Sequence, residues 1–259
     1  MALKINDITL EPGMNVYFAS DFHLGIPNRE NSLQREKKLV QWLESIEKTT
    51  RHVFLVGDIF DFWFEYKTVV PRGYTRLLGK LASMIDNGVK VYYFTGNHDM
   101  WTFGYLEEET GVTLYREPIE VKINQQLFYI GHGDGLGPGD QGYKFIKKVF
   151  ASPVSQWLFA RLHPNFGIGL ANFWSGKSRQ ANGPVDEIFK GEDKEWLMIY
   201  CKELLQKKHY DYFIFGHRHL LIDCDLGNNS RYINLGDWFK QSNYAIYNGI
   251  NLQLKVFEN

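Results

Sequence analysis

Five short segments of the chain carry Asp, Asn and His side chains at spacings that suit metal ligands. Asp21 and His23 are two residues apart, as are His217 and His219, so on an extended backbone the members of each pair point to the same side. Imidazole and carboxylate groups together bind divalent manganese, iron, zinc or nickel. In chain order the segments are Asp21-Phe22-His23, Gly57-Asp58, Gly96-Asn97-His98-Asp99, Gly131-His132-Gly133-Asp134 and Gly216-His217-Arg218-His219.

Each of these segments directly follows a short apolar run that predicts a buried strand. The runs are residues 17–20, 52–56, 91–95, 127–130 and 212–215. In open α/β sheets, ligands lie beyond the carboxyl ends of the strands, which predicts that the five segments converge on one site. A lone His or Asp after a strand is more often a capping or surface residue. Five such segments in one chain favour a functional site instead.

The elements that must position these residues alternate between strand and helix. Apolar residues recur at helical spacing within Arg29–Lys48, and a second helix is predicted over Thr75–Asn87, ending at Gly88. Residues 140–208 read as mostly helical, and Leu220–Phe257 reads as a meander of strands. The remaining predicted strands are Lys4–Leu10, Met14–Ala19, His52–Val56, Val89–Phe94, Val112–Tyr115, Ile119–Ile123, Gln126–Ile130 and Tyr210–Phe215.

This alternation predicts an α/β fold, a two-sheet β-sandwich flanked by helices. The length of 259 residues suits one domain, 1–259, with a helical cap insertion at about 137–208. The net charge of −1 identifies neither an acidic nor a basic partner. We predict no signal peptide and no membrane-spanning helix, because no apolar run approaches 18 residues.

The stretch 141–185 has an unusual composition. It holds six Lys or Arg, no Asp or Glu, and eight aromatic residues. A basic helical segment rich in Trp and Phe suits a membrane surface or an anionic amphiphile. The alternative is that the aromatic side chains pack the insertion onto the core while the basic groups are solvated. No nucleic-acid partner is expected, since no basic surplus extends over the rest of the chain.

The ordered motif set resembles the signature of calcineurin-like metallophosphoesterases. The resemblance runs from residue 21 to residue 219 and implies a two-metal centre. It places one metal on Asp21, His23, Asp58 and His219, and the other on Asp58, Asn97, His132 and His217. It also implies that His98 acts on the phosphoryl oxygens or the leaving group, with Asp99 orienting it. Two cations about 3.5–4 Å apart lower the pKa of a shared water and stabilise phosphoryl oxygens.

Further segments are similar to those of bacterial UDP-2,3-diacylglucosamine pyrophosphatases of lipid A biosynthesis. The segments are Asp58-Ile59-Phe60-Asp61-Phe62-Trp63, His132-Gly133-Asp134-Gly135-Leu136 with Asp140 and Tyr143, Gln156-Trp157-Leu158-Phe159 with Arg161-Leu162, and Lys177-Ser178-Arg179 with Asn182. The family releases UMP and 2,3-diacylglucosamine 1-phosphate and prefers manganese. By this resemblance, Asp140, Ser178 and Asn182 contact the glucosamine phosphate or sugar, with Tyr143, Lys177 and Arg179 as further substrate contacts.

The same resemblance implies a cap that holds acyl chains and a cytoplasmic protein in peripheral contact with the inner membrane. The partner would be an acylated UDP-sugar or another anionic lipid. Two positions depart from that pattern: His98 stands where many members have Arg, and Val185 stands near a usual Lys. A metallophosphoesterase for another nucleotide, phosphodiester or phospholipid is therefore the alternative. A non-catalytic scaffold is disfavoured because every ligand position is intact.

Overall fold

The computed structural model describes residues 2–139, 141–186, 188–189 and 191–258, without the side chains of residues 177–186. Its strands are β1 (Leu3–Lys4), β2 (Asn15–Ala19), β3 (Thr50–Val56), β4 (Lys90–Phe94), β5 (Thr113–Tyr115), β6 (Ile119–Ile123), β7 (Gln126–Ile130), β8 (Tyr212–Phe215), β9 (Leu221–Gly227), β10 (Ser230–Leu235), β11 (Asn243–Tyr247) and β12 (Leu252–Val256). Its α-helices are α1 (Arg29–Ile46), α2 (Thr75–Asp86), α3 (Tyr105–Thr110), α4 (Gln141–Ala151), α5 (Pro153–Phe159), α6 (Pro164–Asp186) and α7 (Trp196–Leu205).

The strands form two mixed sheets packed face to face, which confirms the predicted α/β sandwich. One sheet has the order β12-β11-β2-β3-β4-β5, and the other has the order β1-β6-β7-β8-β10-β9. Strands β2, β3, β4 and β5 are parallel to one another, and β7 is parallel to β8. Parallel strands end at the same edge of a sheet, so their carboxyl ends can present side chains to one site.

Aromatic rings fill the space between the two sheets. Phe18 stacks on Phe54 with ring centroids 5.0 Å apart, and Phe54 stacks on Tyr92 at 4.4 Å. The ring of Phe128, from the other sheet, lies 6.0 Å from that of Phe18. Burial of each such side chain stabilises the fold by roughly 1.5–3 kcal/mol. The strand ends above this layer are therefore fixed in position by a close-packed core.

Helices α1 and α2 cover the outer face of one sheet, and α7 covers the other. The buried Trp42 of α1 and Leu77 of α2 belong to the first of these outer cores. Leu197 and Cys201 of α7 belong to the second. Helix α7 lies within the range 137–208 predicted as the cap, yet it packs on the sheet. The described helices include none long and apolar enough to cross a membrane.

Helices α4, α5 and α6 lie over the site edge and meet the core through aromatic side chains. Phe159 lies 4.7 Å from both Phe64 and Trp101, measured between ring centroids. The indole Nε1 of Trp101 donates a hydrogen bond of 2.9 Å to the carbonyl of Phe150. Much of the remaining apolar surface of these helices is exposed, with Phe145 68% and Trp157 56% accessible.

Three details differ from the sequence predictions. The strand expected over Lys4–Leu10 reduces to β1 and an isolated bridge at Ile8, because Asn6 and Asp7 between them favour a turn. Helix α3 was not predicted, since six residues give too few repeats to show a helical period. The meander expected over Leu220–Phe257 is two hairpins, β9–β10 in one sheet and β11–β12 in the other.

Candidate metal centre

The seven predicted metal ligands come together at one edge of the two sheets. Ligand atoms of the first group lie within 4.8 Å of one another, and those of the second group do the same. The first group is Asp21, His23, Asp58 and His219, and the second is Asp58, His132 and His217. Asp58 is shared by both groups, as expected of a carboxylate that bridges two cations.

Short distances between donor atoms define the first group. The Nε2 atom of His23 lies 3.8 Å from Oδ1 of Asp21 and 3.7 Å from Oδ2 of Asp58. The Nε2 atom of His219 lies 3.2 Å from Oδ1 of Asp21 and 3.1 Å from Nε2 of His23. Two imidazoles and two carboxylates therefore point into one small volume.

The amide predicted as a ligand, that of Asn97, lies beside the second group. The Nε2 atom of His132 lies 3.2 Å from Oδ2 of Asp58 and 3.4 Å from Oδ1 of Asn97. The ring centroids of His132 and His217 are 5.2 Å apart. Asn97 thus lies beside the shared carboxylate, where its amide oxygen can serve as a neutral ligand.

In His23 and His132, the ring nitrogen that faces away from the cluster has a hydrogen-bond partner. Nδ1 of His132 lies 2.9 Å from the carbonyl of Val56, so Nδ1–H donates and Nε2 is left with a lone pair. Nδ1 of His23 lies 3.3 Å from Oδ1 of Asp61, with the same consequence. Metal-ligating histidines in proteins are held in this way, by a carbonyl or a carboxylate on the second nitrogen.

Positive φ angles mark most of the ligand positions. The ligands in the left-handed region are Asp21 (φ 55°), His23 (φ 43°), Asp58 (φ 51°), His217 (φ 69°) and His219 (φ 51°). Residues other than glycine rarely adopt these angles, and such strain concentrates at functional sites. The turns after the strands therefore adopt unfavourable backbone angles, and these angles direct the side chains into the cluster.

Glycines beside the ligands leave room for the carboxylates. A Cβ added at Gly96 would overlap with Oδ1 and the backbone nitrogen of Asp58. A Cβ added at Gly216 would overlap with Oδ2 of Asp21. This close approach explains why the sequence places glycine next to the ligand motifs.

We expect Gly96→Ala to displace Asp58 and to damage metal binding. The overlap should lower the free energy of unfolding by about 1–3 kcal/mol and the metal affinity by at least about tenfold. Urea unfolding and metal titration measure these two quantities. Gly79→Ala is the matched control, because no atom lies within 4 Å of its added Cβ and alanine favours α2. Unchanged metal affinity in Gly96→Ala would contradict the packing argument.

The buried carboxylates attract positive charge. Burial alone would lower the pKa of His132, but the charge of Asp58 raises that pKa to about 10. Burial would likewise lower the pKa of His23, but hydrogen bonds to Asp21 and Asp61 outweigh burial and raise that pKa to about 10. Burial and the neighbouring His132 lower the pKa of His217 to about 4. Divalent cations can supply the same compensating charge in place of protons.

The donor set fits two divalent cations. Imidazole nitrogen with carboxylate and amide oxygen is the mixture that manganese, iron and zinc accept. Each group offers at least three ligand atoms, the shared carboxylate joins the groups, and the outward ring nitrogens of His23 and His132 have hydrogen-bond partners. Metal ions bound here would lower the pKa of a water and neutralise charge on phosphoryl oxygens.

His98 lies beside the first group and is held by Asp61 and Ser175. Its Nδ1 lies 2.9 Å from the carbonyl of Asp61 and 3.3 Å from Oγ of Ser175. The Ser175 hydroxyl donates to Oδ2 of Asp61 at 3.1 Å. The rings of His98 and His23 meet edge to face, with centroids 4.8 Å apart. His98 therefore has a fixed ring orientation next to the metal ligands.

Asp99 has a different role from the predicted one. Its carboxylate accepts hydrogen bonds from Gly96 N at 2.7 Å, Tyr93 Oη at 2.7 Å and Ile59 N at 2.8 Å. The expectation that Asp99 orients His98 is corrected, since Asp61 and Ser175 hold that ring. Asp99 instead ties the loop after β3 to the loop after β4, which positions two ligand-bearing turns.

Comparison with known proteins agrees with this geometry. The family model described as calcineurin-like phosphoesterase matches residues 14–221. The chain belongs to the calcineurin-like phosphoesterase family. The predicted metal-dependent phosphoesterase is thereby confirmed at the level of the family.

Two relatives carry a more specific name. The UDP-2,3-diacylglucosamine hydrolase of Porphyromonas gingivalis is 36% identical, covering 94% of this chain and 97% of that protein. The enzyme of the same name from Aeromonas salmonicida is 26% identical, covering 90% of this chain and 89% of that protein. The solved structure of a dimetal phosphatase from Danio rerio has a TM-score of 0.46 at 12% identity, covering 95% of this chain and 96% of that chain.

The predicted substrate contacts lie only partly within the described residues. Tyr143 donates to Oδ2 of Asp134 at 2.7 Å, and its ring centroid lies 6.1 Å from that of His217. Lys147 pairs with the same carboxylate at 2.6 Å. Tyr143 is therefore next to the metal centre of this phosphoesterase. Outside the described residues lie Asp140 and the side chains of Lys177, Ser178, Arg179 and Asn182.

Sequence reasoning missed the supports of the metal centre. Asp61 follows Asp58 by three residues in the segment after β3, and this pair of acids is a signal for its supporting position. Arg218, between two ligand histidines, is 2% exposed and pairs with the buried Glu195 at 2.8 Å. Its guanidinium also lies 4.3 Å from the ring centroid of Trp196. This pair ties the last ligand loop to the start of α7.

Proposed function

We propose that this phosphoesterase hydrolyses the pyrophosphate of UDP-2,3-diacylglucosamine, giving UMP and 2,3-diacylglucosamine 1-phosphate in lipid A biosynthesis. The observation that carries the proposal is the similarity to the Porphyromonas gingivalis enzyme, at 36% identity over 94% of this chain. That coverage includes both the ligand motifs and the helices above them.

The proposed metal centre uses the seven gathered side chains. Asp21, His23 and His219 would hold one cation, Asn97, His132 and His217 would hold the other, and Asp58 would be shared by both. Manganese is the proposed metal, because the mixed nitrogen and oxygen donor set suits it and the similar family prefers it. His98 donates a hydrogen bond to phosphoryl oxygens, and the carbonyl of Asp61 fixes the ring for that task.

The proposed cap lies within residues 137–208, consists of α4, α5 and α6, and binds the acylated half of the substrate. Helices α4, α5 and α6 carry exposed apolar side chains close to the metal centre. The large exposed ones are Phe145, Ile146, Val149, Val154, Trp157, Leu158, Phe166, Phe173 and Trp174. Exposed apolar patches of this extent mark contact with lipids or partners. Together with the basic groups of the same segment, they support peripheral binding at the cytoplasmic face of the inner membrane.

Vesicle binding tests the membrane contact. Trp157 is 56% exposed, and we expect Trp157→Glu to weaken binding to vesicles with an anionic phospholipid by about tenfold, since a large apolar contact is lost. Cosedimentation with vesicles measures the partition. Ile250→Glu is the control, because Ile250 is 72% exposed but lies on the loop between β11 and β12. Equal vesicle binding by both variants would show that the cap does not contact the membrane.

Release of UMP tests the proposed activity. Manganese-loaded protein should release UMP and the sugar 1-phosphate from the acylated UDP-sugar, and treatment with a chelator should stop the release. Chromatography with mass detection identifies both products. A panel containing bis(p-nitrophenyl) phosphate, a cyclic nucleotide and a phospholipid tests the alternative raised by His98 in place of Arg. Faster turnover of a panel member than of the acylated UDP-sugar would overturn the proposal.

A further inference from the structure

A cleft lies between the cap helix α6 and the segment 71–74, next to the metal centre. Its volume is about 370 Å³, at the small end of the range of roughly 300–1,000 Å³ for ligand pockets. Asp61 lies in its wall, and the same carboxylate contacts Nδ1 of His23 and the hydroxyl of Ser175. Asp61 therefore borders both the cleft and the metal centre.

The cleft has a polar lining with unused hydrogen-bonding groups. Arg72, Asn165 and Asn172 line it, and within the described part of the chain their side chains form no hydrogen bond or ion pair that would occupy them. Tyr74, whose hydroxyl donates to the carbonyl of Leu24 at 3.2 Å, and the aromatic ring of Phe62 complete the wall. The cation of Arg72 suits a phosphate, and the amides of Asn165 and Asn172 suit the polar edge of a heterocyclic base. The ring of Phe62 suits the flat face of that base.

One face of helix α6 runs along the cleft and on to the metal centre. The residues on this face recur at helical spacing and are Asn165, Ile168, Gly169, Asn172 and Ser175. At 1.5 Å per residue the face is about 15 Å long. Its first four members line the cleft, and its last contacts His98. A ligand in the cleft thus extends away from the metal centre along α6.

The acyl chains of the proposed substrate are better accommodated by the apolar surface of α4 and α5 than by this polar cleft. Burying a guanidinium and two amides against hydrocarbon, without hydrogen bonds, costs several kcal/mol. The exposed apolar side chains of α4 and α5, such as Phe145 and Trp157, carry no such cost. Two surfaces near the same metal centre therefore differ in polarity. The cleft beside α6 suits a polar group, and the exposed side chains of α4 and α5 suit hydrocarbon.

We propose that this cleft binds the nucleoside monophosphate half of the substrate, with the pyrophosphate at the metal centre. In this arrangement Arg72 pairs with a phosphate, Asn165 and Asn172 hydrogen-bond to a pyrimidine base or ribose, and Phe62 contacts the base. The substrate identity rests on the function proposed above. The position of the nucleotide rests on the cleft alone and is measured with UMP as the probe.

Filling the cleft provides the sharpest test. Gly169 lines the cleft, and a Cβ added there meets no atom of the described residues within 4 Å, so Gly169→Leu places a side chain in the cleft without a backbone clash. Leucine also favours a helix over glycine, which guards against unfolding. Gly79→Leu is the matched control on α2, where the added Cβ is equally unobstructed. Arg72→Ala is a second cleft variant, with the exposed Arg76→Ala as its control.

The dissociation constant of UMP is measured by calorimetry on the manganese-loaded protein, beside turnover of bis(p-nitrophenyl) phosphate. We expect Gly169→Leu and Arg72→Ala to weaken UMP binding at least tenfold and to leave turnover of the small diester within twofold. Gly79→Leu and Arg76→Ala should leave both unchanged. No detectable UMP binding by the parent protein, or unchanged affinity in both cleft variants, overturns the proposal.

A comparison of substrates separates this inference from the function on which it rests. If Gly169→Leu keeps UMP affinity but raises KM for the acylated UDP-sugar and not for the deacylated one, the cleft holds an acyl chain and the proposal is wrong. If the parent protein fails to cleave the acylated UDP-sugar yet binds UMP in the cleft, the nucleotide position stands. In that case the proposed substrate is wrong.

Discussion

Asp58→Asn is expected to lower kcat by at least about a thousandfold, equivalent to about 4 kcal/mol in the activation free energy. Asp58 is 1% exposed, and its Oδ2 lies 3.2 Å from Nε2 of His132 and 3.7 Å from Nε2 of His23. It is the carboxylate common to both ligand groups. An amide of the same shape loses the charge that holds two cations together. Steady-state kinetics and metal analysis of the purified variant measure the effect.

Asp237→Asn is the matched control for this variant. Asp237 is also buried, at 3% exposure, and its Oδ1 accepts hydrogen bonds from the backbone of Phe239 and Lys240, both at 2.8 Å. We expect a modest loss of stability and a kcat within a few-fold of the parent. Normal turnover by Asp58→Asn would show that the bridge is wrongly assigned, even if the variant bound less metal.

His98→Ala is expected to lower kcat by about 10²–10³-fold while both metals stay bound, since such a loss follows the removal of one donor to developing charge. The ring is fixed by the carbonyl of Asp61 and lies 4.8 Å from the ring of His23. Its backbone N–H, which donates to Oδ1 of Asp58 at 2.9 Å, is kept in the variant. His98→Arg should recover part of the loss, because a guanidinium also donates to phosphate.

His52→Ala is the control for an imidazole outside the site. His52 belongs to β3 and its ring stacks on Tyr92, with centroids 5.9 Å apart. Its removal should leave kcat unchanged. Loss of one metal ion in His98→Ala would contradict the assigned role, since His98 would then be a ligand together with Asp61 and His23, a grouping that the geometry also allows.

The gathering of the candidate metal ligands could be predicted from the sequence because each of them closely follows a strand. Strand β2 ends at Ala19 and strand β3 ends at Val56, each two residues before a ligand carboxylate. Once the strands are parallel neighbours, the chain direction alone brings these side chains to one edge. Local sequence and sheet geometry therefore agree, and no distant contact has to be known.

The supports of the site could not be predicted, because they depend on contacts between distant parts of the chain. Ser175 reaches Asp61 across 114 positions of sequence, and no local pattern marks that serine. Asp99 is adjacent to His98 in sequence, but adjacency does not determine which group a side chain contacts. The tight turn after β4 instead directs its carboxylate to Gly96 and Ile59.

The extent of the cap is a second feature that could not be predicted from the sequence. Helices α4 and α7 both carry apolar side chains, so the sequence gives no reason to separate them. In the structure, Met198 of α7 is fully buried on the sheet, whereas Phe145 of α4 is 68% exposed. Whether an apolar helix face packs on the core or remains exposed depends on which surface is near, and only the tertiary fold determines that.

Electron paramagnetic resonance of the manganese-loaded protein tests the central claim most directly. The account predicts two manganese ions per chain with the spectrum of an exchange-coupled pair, and loss of that coupling in Asp58→Asn. A spectrum of isolated ions only, at a stoichiometry of two per chain in the parent protein, would contradict a shared carboxylate between two neighbouring cations.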